Sequence, residues 1–355
     1  MPIRIDRTPA ASAAHARPAH AVASIVGRRV GQHLSPLLAA RFVVRLAVTL
    51  ATATAFLPTA ASAQGAPLHV FACEPEWAAL VKALEPEAHV TSATHLRQDP
   101  HYIEARPALI AQLRGADLAV CTGASLEAGW LPMLQERAGN PRVQDGEPGM
   151  FFASEAVKLI DADPAAAHAG PFAGDVHPEG NPHVQFDPQR MLVVAQALAR
   201  RLEQIAPASA SAIAGNLRRF SERWRARIGE WEQRAEALRG TRVTAQHSTF
   251  AYLWHWLGIE QVADLEPRPG MPPTPAHLRR LLETFGSAPP AAIVVASYHD
   301  ARSARWLAGQ LGGGLEPIVL STTVEDASQP DALFDWMDGV IDALVTKARG
   351  AASAR

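Results

Sequence analysis

Residues 209–240, "SASAIAGNLRRFSERWRARIGEWEQRAEALRG", carry apolar side chains at Ile213, Leu217, Phe220, Trp224, Ile228, Trp231 and Leu238. Spacings of three, four and seven put these side chains on one face of a single long amphipathic helix. Gly240 is suited to end it, because glycine accepts a left-handed backbone. On either side of this helix, short apolar runs alternate with helical patterns. Before it come "LHVFAC", "EWAALVKALE", "HVTSAT", "PALIAQLRG", "ADLAVCTG" and "SLEAGWLPMLQERAG". After it come "TRVTAQH", "FAYLWHWLG", "AHLRRLLETFG", "AAIVVAS", "ARSARWLAGQLGG", "EPIVLS" and "DALFDWMDGVIDALVTKA". Such alternation is the mark of α/β architecture. The expected plan is two strand–helix lobes, 64–207 and 241–348, joined by the helix 208–240 and followed by a tail, 349–355. A helix holds two lobes nearly fixed, where a Gly/Ser linker would let them swing.

The chain ahead of the first lobe reads differently. Arg41 and Arg45 precede "LAVTLATATAFLPTA", an apolar run too short to span a bilayer, and then "ASA", Ala61 to Ala63. This is the pattern of a secretory signal with a small-residue cleavage site, so residues 1–63 are expected to be removed on export. Pro58 and the run of small residues suit neither a core helix nor a membrane anchor. Residues 1–40 read as an extended leader or as the product of a misassigned start codon. No cysteine stands at the cleavage site, so a lipid anchor is not indicated.

Without the leader the chain keeps 26 basic and 34 acidic side chains out of 33 and 35 in all. That balance argues against a nucleic-acid partner and suits a soluble protein, expected to be monomeric, that takes something small and cationic. The two cysteines, Cys73 and Cys121, each end a strand-like run, and either a disulfide or two buried thiols fits them.

Histidines supply the chemistry. His69 and His89 begin strands, His255 and His277 lie on helical patterns, and His168 sits in the loose "DPAAAHAGPFAGD". Packing or solvation explains all five. His101 in "QDPHYIEARP", His183 in "GNPH" and His247 in "TAQH" differ, because each sits beside turn residues at a strand end or in a loop. Ligands in open α/β sheets bind beyond the carboxyl ends of strands, where His101 and His247 fall. Three such imidazoles suit a transition metal, although intervals of 82 and 64 residues fix no two of them on one element. The proline-rich "EPRPGMPP", 266–273, reads as a preset wall of the kind that borders clefts.

"QDPHYIEARPALIAQLRGADLAVCTGASLEAGWL", "GNPHVQFDPQRM" and "AYLWHWLGIEQVADLEPRPGMPPTPAHLRRLLE" together resemble the zinc and manganese solute-binding proteins of bacterial ABC uptake systems. The likeness covers residues 68 to 348, with the three blocks in the family's order. It implies two α/β lobes, a rigid helix between them, a metal in the interlobe cleft, a periplasmic location and a permease partner in the inner membrane. It also implies that His101, His183 and His247 are the metal ligands. Histidine at the third position, where manganese-binding members commonly place a carboxylate, points to Zn2+, and imidazole nitrogen suits zinc.

Asp99 and Glu104 are the expected carboxylate partners of His101. The fourth ligand is open. The family's late-strand aspartate is replaced by Ser321, Thr322 and Thr323, which leaves Asp300, His177, Glu74, Asp326 or a water. The segment 153–180 holds only His168 and His177, so the long histidine-rich loop of many zinc-specific members is missing. The rival readings are Mn2+ or Fe2+ binding by the same fold, a zinc hydrolase, and a metal-free adhesin. Against the hydrolase, the chain has no HExxH and no assigned general base.

Overall fold

The computed structural model describes residues 66–163 and 175–353. The expected leader, His168 and the last two residues lie outside them. Each lobe is built on a four-stranded, wholly parallel sheet. The first sheet contains β1 (His69–Ala72), β2 (His89–Ser92), β3 (Leu118–Cys121) and β4 (Met150–Phe152), in the order β2-β1-β3-β4. The second contains β5 (Arg242–Ala245), β6 (Glu260–Asp264), β7 (Ala292–Ala296) and β8 (Ile318–Leu320), in the order β6-β5-β7-β8. The lobes thus repeat one plan, with the first strand of each next to the second and third. All four residues of β3 are buried, as a strand covered by helices on both faces requires.

Two strands lie where the sequence pattern shows none, and both are at sheet edges. β4 has only three residues, and β6, "EQVAD", is exposed at both ends. β4, "MFF", is apolar but too short to stand out as a strand, and β6 lacks the continuous apolar run of a central strand.

The first-lobe helices are α1 (Pro75–Leu84), α2 (Pro107–Gly115), α3 (Leu131–Ala138) and α4 (Pro188–Ile205). Then comes the long helix α5 (Ala210–Ala235), 26 residues, continued by a 3-10 turn at Glu236–Leu238 and ended at Gly240, whose φ is 74°. The second lobe adds α6 (Ala251–Leu257), α7 (Pro275–Phe285), α8 (Arg302–Leu311) and α9 (Ala332–Ser353), the last running on through residues expected to form a tail. Two helix starts are fixed by local chemistry. The Asp187 carboxylate accepts the amides of Gln189 and Arg190 ahead of α4, and Thr274 accepts the amide of His277 ahead of α7. In both a proline fills the first turn, where no N–H is needed.

The buried face of α5 makes the two lobes one body. Ile213, Phe220, Trp224, Ile228 and Trp231 belong to a single apolar cluster that includes Val70 and Leu80 of the first lobe and Val243, Leu253 and Met337 of the second. Each large side chain so buried contributes roughly 1.5–3 kcal/mol. The indoles are also satisfied: Trp224 Nε1–H donates to the Pro188 carbonyl at 2.9 Å and Trp231 Nε1–H to Asp338 at 2.9 Å. Separate clusters fill the outer faces of the two sheets. A hinge between the lobes would have to break the shared core.

The two cysteines form a disulfide that joins the ends of β1 and β3, neighbours in the sheet. Among the described residues no helix is long and apolar enough to cross a membrane.

Candidate metal centre

The carboxyl ends of both sheets face the same cleft, and the candidate residues sit just beyond them. His247 follows β5 by two residues and Glu266 follows β6 by two. His101 lies in the loop after β2. Its own amide donates to Asp99 Oδ1 at 3.1 Å, and the Trp130 indole N–H donates to the Pro100 carbonyl at 2.8 Å, which fixes the loop on both sides. His183 is held through Asn181. That side chain accepts the His183 amide at 3.0 Å and donates to the Ser248 carbonyl at 2.9 Å, while Tyr252 Oη donates to the Asn181 carbonyl at 2.8 Å.

These loops bring three distant residues together. One ring nitrogen each of His101, His183 and His247 lies within 4.8 Å of the others, and the residues are 7%, 2% and 5% exposed. Two tautomers are set by carboxylates. His101 Nδ1 is 2.6 Å from Asp99 Oδ1, and His247 Nδ1 is 3.0 Å from Glu266 Oε2. A carboxylate can only accept, so both Nδ1 atoms carry the proton and both Nε2 atoms present a lone pair. The Nε2 atoms of His183 and His247 are buried and have no hydrogen-bond partner among the described residues. Such orphans are costly unless a ligand satisfies them.

Charge in the centre follows the same pairing. Burial and the neighbouring His101 and His247 push His183 well below its ordinary value, which keeps it neutral. Burial opposes charge on His247 too, but the Glu266 hydrogen bond outweighs it and raises that imidazole. Burial would raise Asp99, yet its bonds to His101 hold it below the usual carboxylate range.

The residues open as fourth ligands separate clearly. His177 Nε2 lies 3.2 Å from His101 Nε2. Burial, then the neighbouring His101, push His177 down to about 3. Asp300 is exposed at the mouth of the cleft and pairs with Arg302. Asp326 is exposed in a turn, bonded to Ser328 and Gln329. Glu74 belongs to a different buried group, described next. Ser321, Thr322 and Thr323 bring no carboxylate; Thr323 Oγ1 instead donates to Glu76 Oε2 at 2.5 Å. Glu104, expected beside His101, is exposed, and Asp99 alone takes the ring. Glu266, the partner of His247, was legible only as the first residue of the proline-rich wall.

The second buried group is acidic. Glu127 accepts the amides of Thr122 at 2.6 Å and Gly123 at 3.0 Å, and Glu74 accepts the Thr122 hydroxyl at 3.0 Å. Burial pushes Glu74 well above the carboxylate range and takes Glu76 and Glu127 to about 7.

The cleft beside the histidines is a cavity of about 840 Å³, walled by Gly270, Pro272 and Pro273 on one side and by Tyr102 and Trp306 on others. Two parallel-sheet lobes with a buried imidazole cluster between them define a metal-binding solute-binding protein. Residues 70–347 match the family described as "Zinc-uptake complex component A periplasmic", and the chain belongs to that family.

Solved structures share the fold. A ZnuA deletion mutant with zinc bound is 18% identical, covers 78% of this chain and 98% of its own, and superposes with a TM-score of 0.62. The solute-binding protein FpvC of Pseudomonas aeruginosa with Mn2+ is 20% identical over 81% of this chain and 100% of its own, TM-score 0.63. A Cd-bound periplasmic metal-binding protein of Candidatus Liberibacter asiaticus is 17% identical over 79% and 98%, TM-score 0.62. No curated protein matches the sequence. The family is that of a periplasmic zinc-uptake component, and the solved ZnuA structure shares the fold.

Proposed function

We propose that this protein captures Zn2+ in the periplasm on His101, His183 and His247 and passes it to an ABC permease for import. The observation that carries the reading is the pair of buried, unpartnered Nε2 atoms on His183 and His247, in residues that each bring a ring nitrogen within 4.8 Å of one of His101. All-nitrogen donors at the centre favour zinc over manganese, which takes more oxygen and larger coordination numbers. Asp99 and Glu266 serve as the carboxylates that orient ligating imidazoles and raise their basicity. Because only unprotonated imidazole binds metal, affinity falls as pH drops through the histidine range. The shared core along α5 limits release to a local movement near the site, without a wide opening of the lobes.

Native mass spectrometry of the metal-free protein, titrated with zinc and manganese in competition, tests this. One zinc per chain is expected, displacing manganese at equal concentration. Preference for manganese would overturn the choice of metal, and failure of either ion to bind would overturn the site.

A further inference from the structure

We infer that the strap 175–181 carries His177 as the fourth donor to the metal, and that Tyr102, Asp175 and Gly270 are the positioning residues that clasp this strap across the cleft. The inference rests on the zinc reading and deepens it.

The nitrogen–nitrogen contact makes the case for the donor. His177 Nδ1 lies 3.0 Å from the Ala124 carbonyl, which can only accept, so this nitrogen carries the proton and Nε2 holds a lone pair. His101 Nδ1 faces Asp99, so its Nε2 also holds a lone pair. The two lone pairs confront each other at 3.2 Å. With both rings neutral that contact is repulsive, and a cation between them converts it to attraction. Two nitrogens on one tetrahedral zinc, at Zn–N about 2.0–2.1 Å, are separated by roughly 3.3 Å. The His101–His177 spacing is that of two ligands on one ion, and His177, which lies outside the group of three nitrogens within 4.8 Å of one another, closes on the other two rings when the ion binds.

The strap is tied to both lobes. On the first lobe, Tyr102 Oη donates to Asp175 Oδ1 at 2.5 Å and Ser125 Oγ donates to Glu179 at 3.0 Å. On the second, the Asp175 amide donates to the Pro269 carbonyl at 3.2 Å, and Asn181 Nδ2 donates to the Ser248 carbonyl at 2.9 Å. Gly270 permits the approach. Its φ is 72°, and a Cβ there would stand 2.7 Å from Asp175 Oδ2 and 3.0 Å from the Asp175 amide nitrogen. The proline-rich wall therefore receives the strap as well as lining the cleft. Tyr102 is 63% exposed, an unusual place for a large ring unless its hydroxyl is engaged. Its bond to Asp175 crosses the mouth beside the metal centre. Loosening the Tyr102–Asp175 contact frees His177 while the Asp99–His101 and Glu266–His247 pairs stay in place, which gives the site a release step that leaves the shared core intact.

X-ray absorption at the zinc edge counts imidazoles directly. Four nitrogen donors of the imidazole type are expected for the zinc-loaded protein and three in His177→Ala. Tyr102→Phe and Gly270→Ala should keep all four while zinc loss to a competing chelator, followed by stopped flow, speeds up by about tenfold. Three imidazoles in the unaltered protein would overturn the donor assignment. Unchanged release rates in both clasp variants would overturn the positioning role. Tyr102 is exposed and its variant keeps the ring, so loss of folding does not confuse the result. If zinc fails to bind the unaltered protein at all, the proposed function falls first, and the two failures are told apart.

Discussion

Two buried polar groups lie close together in this molecule, and they solve desolvation in opposite ways. In the imidazole cluster, Asp99 and Glu266 take the outer nitrogens of His101 and His247, so the lone pairs turn inward, and those of His183 and His247 find no donor. In the acidic cluster, two backbone amides fill both Glu127 oxygens and the Thr122 hydroxyl meets Glu74. The other Glu74 oxygen, Oε1, is buried with no hydrogen-bond partner among the described residues, and burial together with the neighbouring Glu127 and Glu76 carboxylates raises Glu74, which favours a proton on it. Burial of charge is unfavourable in both places. One group is arranged so that an added cation completes it, and the other lowers the cost of burial by keeping a proton. Buried polarity alone therefore does not mark a metal site; the convergence of nitrogens from three rings within 4.8 Å does.

Removing an inward lone pair should have the largest effect. A donor lost from a four-donor zinc site costs about 3 kcal/mol, roughly a hundredfold in Kd. His247→Ala is expected to weaken zinc by that factor in competition titration, while Glu127→Gln leaves zinc affinity within about twofold. Equal losses in the two variants would erase the distinction between the clusters. Next comes the outer carboxylate. Glu266→Gln keeps an acceptor for His247 Nδ1 but removes the charge, and about a tenfold loss of zinc affinity is expected. No change would mean that Glu266 only supports the loop, through its contact with the Gly270 amide at 2.9 Å.

Much of this was legible in the chain because it is local. The helix of residues 210–235 and the strands β1, β2, β3, β5, β7 and β8 each follow from residues within a few positions of one another. The three histidines stood out for the same reason, each beside its own turn chemistry. What escaped depends on which segments meet. β4 and β6 are edge strands, the first too short and the second too polar to announce itself, and their pairing is supplied by neighbours. Glu104 lies three residues after His101 and Asp99 two before it, and only the loop's course decides which carboxylate reaches the ring. Glu266 joins His247 because β5 and β6 are neighbours whose ends meet at Ala245 and Asp264, and Tyr102 meets Asp175 across 73 residues. The disulfide was undecided because two cysteines 48 residues apart do not say that β1 and β3 are adjacent.

The smallest expected effect tests the proton in the acidic cluster. A carboxyl whose folded value lies above its unfolded one binds more protons when folded, between the ordinary carboxylate range and its raised value. In that window stability falls as pH rises, by up to about 1.4 kcal/mol per pH unit for each proton involved. Glu76 and Glu127 are raised to about 7 and Glu74 lies well above its ordinary value, so the window runs from about 4.5 upward through 7. Because Glu127 already accepts two amides, the proton resides on Glu74, and Glu74→Gln supplies an N–H donor in its place. The variant should equal the unaltered protein in stability near pH 5 and exceed it by about 1 kcal/mol near pH 8, read from urea midpoints of the zinc-free protein. Parallel curves at both pH values would mean that the cluster holds no proton, and the contrast with the imidazoles would then rest on geometry alone.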